Sequence, residues 1–255
     1  MKSRLDTLML ERGLVPSRAR AQALILAGRV LVNEQKIEKA GTNVDLDATL
    51  RLLDDDLPFV SRGGLKLARA LEHWEIKVSG KTCLDIGAST GGFTDCLLQN
   101  DAAKVIAVDT GYGQMDTRVR SDPRVRVLEK TNARYLTTQQ LWPGTAPDPI
   151  GLIAMDVSFI SATLVLSAVL ECARASARGP QGLELVLLVK PQFEVGRRQV
   201  GKGGIVRDPQ AQRAAVEKVS RAVRELGGTA IDTIESPILG AGGNLEFLLH
   251  ARFAW

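Results

Sequence analysis

The sequence predicts an α/β fold: a doubly wound, mostly parallel sheet preceded by a small α+β unit. Three observations carry that expectation. From about residue 80 onward, short continuous apolar runs alternate with helical stretches, the pattern of strands covered on both faces by crossover helices. A glycine-rich turn follows the first of these strands. The first 56 residues differ in character, with eight Lys/Arg against four acids in residues 1–40 and one Arg against five acids in residues 41–56.

A chain of 255 residues, 45% hydrophobic and 24% charged, is sized for one large domain or a small one joined to a medium one, and it excludes disorder over most of its length. The long apolar run, Val157 to Leu170, is too short to cross a bilayer. Asp6, Glu11 and Arg12 interrupt the stretch a secretory signal would need, so a cytoplasmic location without stable membrane association is expected. Cys83, Cys96 and Cys172 lack the paired spacing of a zinc site and read as buried small hydrophobes. With only His73 and His250 present, there is little material for a histidine metal site or a Ser-His-Asp triad, and no metal is expected. The net charge of +4 matters because it is concentrated.

Taken in order, LDTLMLERG predicts a helix stopped at Gly13, and Pro16-Ser17 opens a second one with Ala21, Leu24 and Ile25 on one face, closed by Gly28. Arg29 to Asn33 predicts a short strand entering an Asn33-Glu34 turn, and Thr49 to Leu53 a further strand. Arg4, Arg18, Arg20, Arg29, Lys36 and Lys39 are long cations suited to phosphate contacts; a solvated charged face is the alternative. Asp54-Asp55-Asp56 before Pro58 predicts a linker. The expected organisation is 1–56, a linker at 57–62, and a larger domain over 63–255. Within the latter, strands are predicted at 82–86, 104–109, 125–129, 150–156, 183–190, 229–235 and 245–252, with the clearest helices at 91–99, 161–175 and 209–226.

The first of these strands ends in Asp85-Ile86-Gly87-Ala88-Ser89-Thr90-Gly91-Gly92-Phe93, and the second closes at Asp109. A glycine-rich strand-to-helix turn admits a ligand close to the backbone, and an acid ending the second strand accepts hydrogen bonds from ribose hydroxyls. Neither the dinucleotide fingerprint nor the phosphate loop is present, so the ligand is a nucleoside without pyrophosphate. Asp156 and Lys190 each close an apolar strand at the ligand edge, where charge points to function; Lys66 and Glu246 occur in SRGGLKL and GGNLEF. A strand-end cap for Asp156 and surface charge for Lys66 and Glu246 are the alternatives. Residues 192–207, QFEVGRRQVGKGGIVR, carry Arg197, Arg198 and Lys202 in a glycine-rich basic loop suited to a polynucleotide. So few aromatics predict little base stacking; Phe159 is the candidate exception, with a place in the core as the favoured reading.

The first segment, RLDTLMLERGLVPSRARAQALILAGRVLVNEQKIEKAGTNV, resembles the RNA-binding module named after ribosomal protein S-four. D-x-G-x-x-x-G-G resembles the S-adenosylmethionine loop of Rossmann-like class I methyltransferases with a seven-stranded sheet. That likeness implies that Asp85, Gly87, Ser89, Gly91, Gly92, Phe93, Asp109 and Asp156 hold the cofactor, with Asp85 near the methionine amino end and Asn132 near the adenine; for Asn132 a turn or helix cap is the alternative. Lys66, Asp156, Lys190 and Glu246 resemble the tetrad of FtsJ-like ribose 2′-O-methyltransferases. Such a transfer needs in-line approach to the methyl carbon and removal of a proton from a weakly acidic hydroxyl. An ordinary lysine, with a pKa of about 10.4, is neutral in roughly one molecule in 2,500 at pH 7, so a lysine base must be desolvated or lie near another cation. The resemblance implies Lys190 as base, Lys66 and Asp156 as positioning partners and Glu246 as an orienter.

Over nearly its full length, through VSRGGLKL, DIGASTGGFTD, VDTGYGQ, DVSFIS, VKPQFE and GGNLEF, the chain resembles the TlyA or haemolysin A family. That resemblance implies cytidine 2′-O-methylation of ribosomal RNA, within subunits or ribosomes, using S-adenosylmethionine. The start at Arg4-Leu5-Asp6 and the end just after the last strand resemble the family's shorter form, which acts on large-subunit RNA only; the longer form acts on both subunits, so small-subunit RNA is the alternative substrate. A membrane-active haemolysin and a noncatalytic RNA-binding assembly factor are the rival readings.

Overall fold

The structure, a computed structural model, describes residues 2–15, 17–53, 58–177 and 182–254. The expected linker acids Asp54–Asp56, together with Leu57 and Pro16, lie outside the described residues.

The amino-terminal part runs β1 (Lys2–Arg4), α1 (Leu5–Glu11), α2 (Arg18–Leu26), β2 (Val30–Val32), β3 (Gln35–Lys36), β4 (Asn43–Asp45) and β5 (Leu50–Leu52). Both helices form where the apolar spacing puts Leu5, Leu8 and Met9, and Ala21, Leu24 and Ile25, on buried faces. Ser17 caps α2 by accepting from the backbone N–H of Arg20 at 3.2 Å. Strand β2 pairs with β3 across the Asn33-Glu34 turn and with β5 on its other side. The unpredicted pair is β1 with β4; strands this short, with mostly exposed residues, leave no alternating pattern to read.

This part uses several of the cations expected to contact phosphate. Asp6 is fully buried and accepts from Arg4 at 3.0 and 2.9 Å, from Arg18 at 3.0 Å and from Gln22 at 2.8 Å. A buried carboxylate must be compensated, and Arg4 and Arg18 do this while remaining about half exposed. Arg29 donates to the Leu53 carbonyl at 3.3 Å, and Arg20 pairs at 2.5 Å with Asp116 in the larger part. Lys36 and Lys39 stay exposed.

The larger part continues with α3 (Gly63–His73), β6 (Thr82–Ile86), α4 (Gly92–Gln99), β7 (Lys104–Val108), α5 (Thr117–Arg120), β8 (Val125–Leu128), α6 (Thr138–Leu141), β9 (Ile150–Met155), α7 (Thr163–Ser176), β10 (Leu183–Val189), α8 (Pro191–Glu194), α9 (Pro209–Glu225), β11 (Thr229–Glu235) and β12 (Phe247–Phe253). One seven-stranded sheet has the order β11-β12-β10-β9-β6-β7-β8. β12 is antiparallel to both its neighbours, and β10 through β8 are parallel. Side chains alternate between two cores, with Leu84, Ile86, Leu185 and Leu187 facing α7 and α9, and Cys83, Val105, Ala154 and Val186 facing α3 and α4. All three cysteines are buried and free.

Pro58 to Arg62, expected as linker, is packed: the Val60 N–H donates to Asp95 at 2.7 Å and Gln99 to the Pro58 carbonyl at 2.8 Å. Arg62 also reaches back to Glu38 at 3.1 Å.

The Arg4 guanidinium beside Asp6, helped by Gln22 and Arg18 against the opposing effect of burial, holds the Asp6 carboxyl below the usual carboxylate range. Stability from Asp6 is therefore present above a pH of about 4 and is lost as pH falls toward its folded-state value. Denaturant unfolding followed from pH 6 to pH 2.5 is expected to lose less stability in Asp6→Asn than in the parent. At pH 7 the substitution costs about 1–2 kcal/mol, limited by the solvent around both arginines.

Candidate active site

The carboxyl ends of the parallel strands open onto a cavity of about 410 Å³, where such sheets bind ligands. The turn after β6 is pressed against the end of β9. Gly87 has φ +86°, and a Cβ there would stand 2.4 Å from the Asp156 carbonyl oxygen. Gly92 starts α4 against the start of α3, where a Cβ would meet Ser61 Oγ at 2.2 Å and the Gly64 nitrogen at 2.9 Å. No side chain fits at either position, so backbone walls this side of the cavity.

Beneath the wall, Asp85 is fully buried. Its Oδ2 accepts from Thr94 Oγ1 at 2.6 Å, whereas Oδ1 has no hydrogen-bond partner among the described residues. Burial, reinforced by the Asp156 and Asp109 carboxylates and opposed by Thr94, pushes its carboxyl up to about 7. Ser89 sits at φ +47°, and its N–H donates to Asp109 Oδ2 at 2.8 Å; Gly111 N–H donates to Oδ1 at 2.6 Å. Gly87, Ser89, Gly92 and Phe93 line the cavity, while Asp85, Gly91 and Asp109 lie behind or beside it. Asn132 is exposed, away from the cavity walls, and its oxygen accepts from the Arg134 N–H at 3.0 Å. It caps the 3-10 turn Ala133–Tyr135.

Four charged residues meet at the base of the cavity. Lys190, just after β10, places Nζ 2.6 Å from Asp156 Oδ1, just after the neighbouring β9, and donates to Ser158 Oγ at 2.7 Å. Lys66, in the first turn of α3, donates to Glu246 Oε2 at 2.6 Å. Glu246 precedes β12, and because β12 is reversed its beginning lies beside the end of β10, with Phe247 opposite Val189. Burial pushes the Asp156 carboxyl up, but Lys190 and Lys66 together outweigh it and hold Asp156 below its ordinary range. Each amine faces its own carboxylate, so the quartet is charge-balanced.

Several residues here escaped sequence reasoning. Ser158 lies in DVSFIS, which carries the resemblance, but received no role there. Asn244 is buried, accepts from the Val206 N–H at 3.0 Å and donates to the Gly204 carbonyl at 2.9 Å, fastening the basic loop to the cavity rim. Gly203 and Gly204 line the cavity, and Arg197, Arg198 and Lys202 of the same loop are exposed. Phe159 is not in the core: it is 91% exposed, at φ +66°, with its ring 5.4 Å from that of Phe193 at the cavity mouth. An aromatic run beside apolar residues reads as core when the left-handed backbone that turns it outward is invisible.

Comparison with known proteins identifies the family. The FtsJ-like methyltransferase family matches residues 59–253 and the S4 domain matches residues 3–50. The chain belongs to the FtsJ-like methyltransferase family. A Mycobacterium tuberculosis relative, 16S/23S rRNA (cytidine-2′-O)-methyltransferase TlyA, is 45% identical over 98% of this chain and 90% of its own. The Campylobacter jejuni 23S rRNA (cytidine-2′-O)-methyltransferase TlyA is 33% identical over 92% and 93%. A solved structure from Streptococcus thermophilus, described as a candidate hemolysin, superposes with a TM-score of 0.72 and 38% identity, covering 99% of this chain and 88% of that one. The cofactor of this FtsJ-like fold is S-adenosylmethionine. The unpartnered Asp85 Oδ1 and the side-chain-free turn suit its ammonium group and its close approach to backbone.

Between a pH of about 4 and about 7 the folded chain holds a proton on Asp85 that the unfolded chain has lost, so Asp85 lowers stability progressively as pH rises through that window. Asp85→Asn is expected to raise the cofactor-free unfolding free energy by on the order of 2 kcal/mol more at pH 8 than at pH 4, seen in denaturant titrations. Calorimetry should show its cofactor affinity reduced by about 10-fold or more, as an ionic hydrogen bond is lost.

Proposed function

We propose that this chain is an S-adenosylmethionine-dependent ribosomal RNA (cytidine-2′-O)-methyltransferase. The observation that carries the proposal is the quartet Lys66–Glu246 and Lys190–Asp156 at the base of the glycine-walled cavity. Relatives spanning almost the whole chain are named for this reaction. The 23S RNA is common to both names, so large-subunit RNA is the proposed substrate and small-subunit RNA the further one to test. Subunits or ribosomes in the cytoplasm would present it.

In this reading Asp85, Gly87, Ser89, Gly91, Gly92, Phe93, Asp109 and Asp156 hold the cofactor, which when bound supplies an electrophilic methyl group on a sulfonium. Lys190 takes the proton from the ribose 2′-hydroxyl as its oxygen attacks in line. Asp156 and Ser158 aim the amine, and the Lys66–Glu246 pair keeps a second cation nearby without leaving it unpaired. No metal takes part. Lys36 and Lys39 on the amino-terminal part, with Arg197, Arg198 and Lys202 on the loop, supply phosphate contacts. Arg4, Arg18, Arg20 and Arg29 have intramolecular partners to exchange before joining them. Exposed Phe159 beside Phe193 offers an aromatic face to an unstacked base. In this reading the domains are 1–56 and 63–255, joined by 57–62, of which Val60 and Pro58 bond to Asp95 and Gln99 of the larger one.

No helix among the described residues is long and apolar enough to cross a membrane. Lys190→Ala is expected to lower tritiated-methyl transfer to ribosomal RNA by about 10²–10⁴-fold, the usual worth of a general base, with cofactor affinity nearly unchanged. Mass-spectrometric mapping of ribose methylation in cells with the parent, Lys190→Ala or no protein then locates the nucleotide. A missing methyl in both altered strains supports the enzyme. Normal methylation in the strain without the protein sinks the proposal, and normal ribosome maturation with Lys190→Ala but not with the null favours an assembly factor. Leakage of purified liposomes would favour the haemolysin reading.

A further inference from the structure

Lys190 and Glu194 bracket one short helical turn: Lys190 is the N-cap of α8 and Glu194 its last residue. Pro191 at the first helical position, the Phe193 N–H to Lys190 carbonyl bond at 2.9 Å and the Val195 N–H to Pro191 carbonyl bond at 3.0 Å stiffen the turn. Both bracketing residues reach across to the loop between β9 and α7. At one end Lys190 meets Asp156 and Ser158. At the other, Glu194 Oε1 accepts from the Ala162 N–H at 2.7 Å, and Oε2 accepts from Ser161 Oγ at 2.5 Å and Lys218 Nζ at 2.9 Å. Lys218, on α9, also donates to the Glu194 carbonyl at 2.9 Å and to Ser161 Oγ at 3.3 Å. The Glu194 carboxylate is buried and does not line the cavity.

The loop is thus hung on two posts one helical turn apart. Between them Phe159 holds a left-handed backbone with its ring exposed, a conformation that persists in a bulky residue only where its surroundings over-determine it. A cap for α7 would need only the Ala162 bond; the bonds to Ser161 and Lys218 fix the loop against two further elements.

We propose that Glu194 is a positioning residue for methyl transfer, acting through the 156–162 loop to hold Asp156 and Ser158 on the Lys190 amine. The proposal rests on Lys190 being the base. Its test compares Glu194→Ala, Ser161→Ala, their combination, Glu194→Gln and Lys190→Ala in the full chain. Steady-state methyl transfer, cofactor affinity and thermal unfolding are measured for each. Glu194→Ala is expected to lower kcat about 10–100-fold, the cost of a misplaced reacting group, with KM for both substrates within about 3-fold. Because Ser161 and Glu194 act through one contact, the combined variant should be no worse than Glu194→Ala within about 2-fold. Glu194→Gln keeps one acceptor for the Ala162 N–H, offers its amide NH₂ to Ser161 Oγ as acceptor and loses the charge facing Lys218, so it should recover most of kcat even where its unfolding temperature falls as far as that of Glu194→Ala. Parental kcat in Glu194→Ala, or losses in Ser161→Ala and Glu194→Ala that multiply, would overturn the proposal. So would losses that track the folded fraction. If Glu194→Ala does not fold, the proposal stands or falls on whether Ser161→Ala lowers kcat at unchanged KM. Parental turnover in Lys190→Ala refutes the base assignment, whereas an inactive Lys190→Ala beside an unimpaired Glu194→Ala refutes only the positioning role.

Discussion

Two ion pairs across the carboxyl edge of the sheet constrain everything else in the larger domain. Lys190 and Asp156 follow neighbouring parallel strands, so their separation is set by the backbone ladder between β10 and β9. Lys66 and Glu246 come from a helix and a reversed strand, and meet only because β12 is inserted beside β10. A buried lysine or carboxylate without its partner is costly. The fold therefore tolerates these charges only while both pairs are intact, and the cavity they floor keeps its shape for the same reason.

The glycines make this arrangement compact. Gly87 lets the turn after β6 rest on the Asp156 carbonyl, and Gly92 lets the starts of α3 and α4 touch. Asp85 is sealed beneath that turn with one oxygen unpaired. Such an orphan weakens an empty protein and strengthens a loaded one, a trade typical of binding sites.

The periodicity of the sequence located the seven strands to within two residues at each end, because a strand covered on both faces is a continuous apolar run bounded by charge. Asp156 and Lys190 were legible for that reason, as the charges that end such runs. Other assignments depended on partners that sequence cannot display. Arg4 and Arg18 face Asp6, whose burial no local pattern announces. Asn132 caps a 3-10 turn, and the outward Phe159 depends on a backbone angle. Glu194 and Lys218, separated by a loop and most of a helix, become neighbours only when α8 packs on α9. The β1–β4 pair is too short to leave a pattern.

Strand β12 lies inside the sheet, between β10 and β11, although it is the last of the described strands along the sequence. The partners Lys66 and Glu246 are 180 positions apart. As the polypeptide emerges during translation, the glycine turn, Asp156 and Lys190 are all made before the slot between β10 and β11 is filled. A nascent or prematurely terminated product carries an unneutralised Lys66 and an unzipped sheet. Chemical competence thus waits for β12, so a product truncated before it lacks the finished site even with its glycine turn in place.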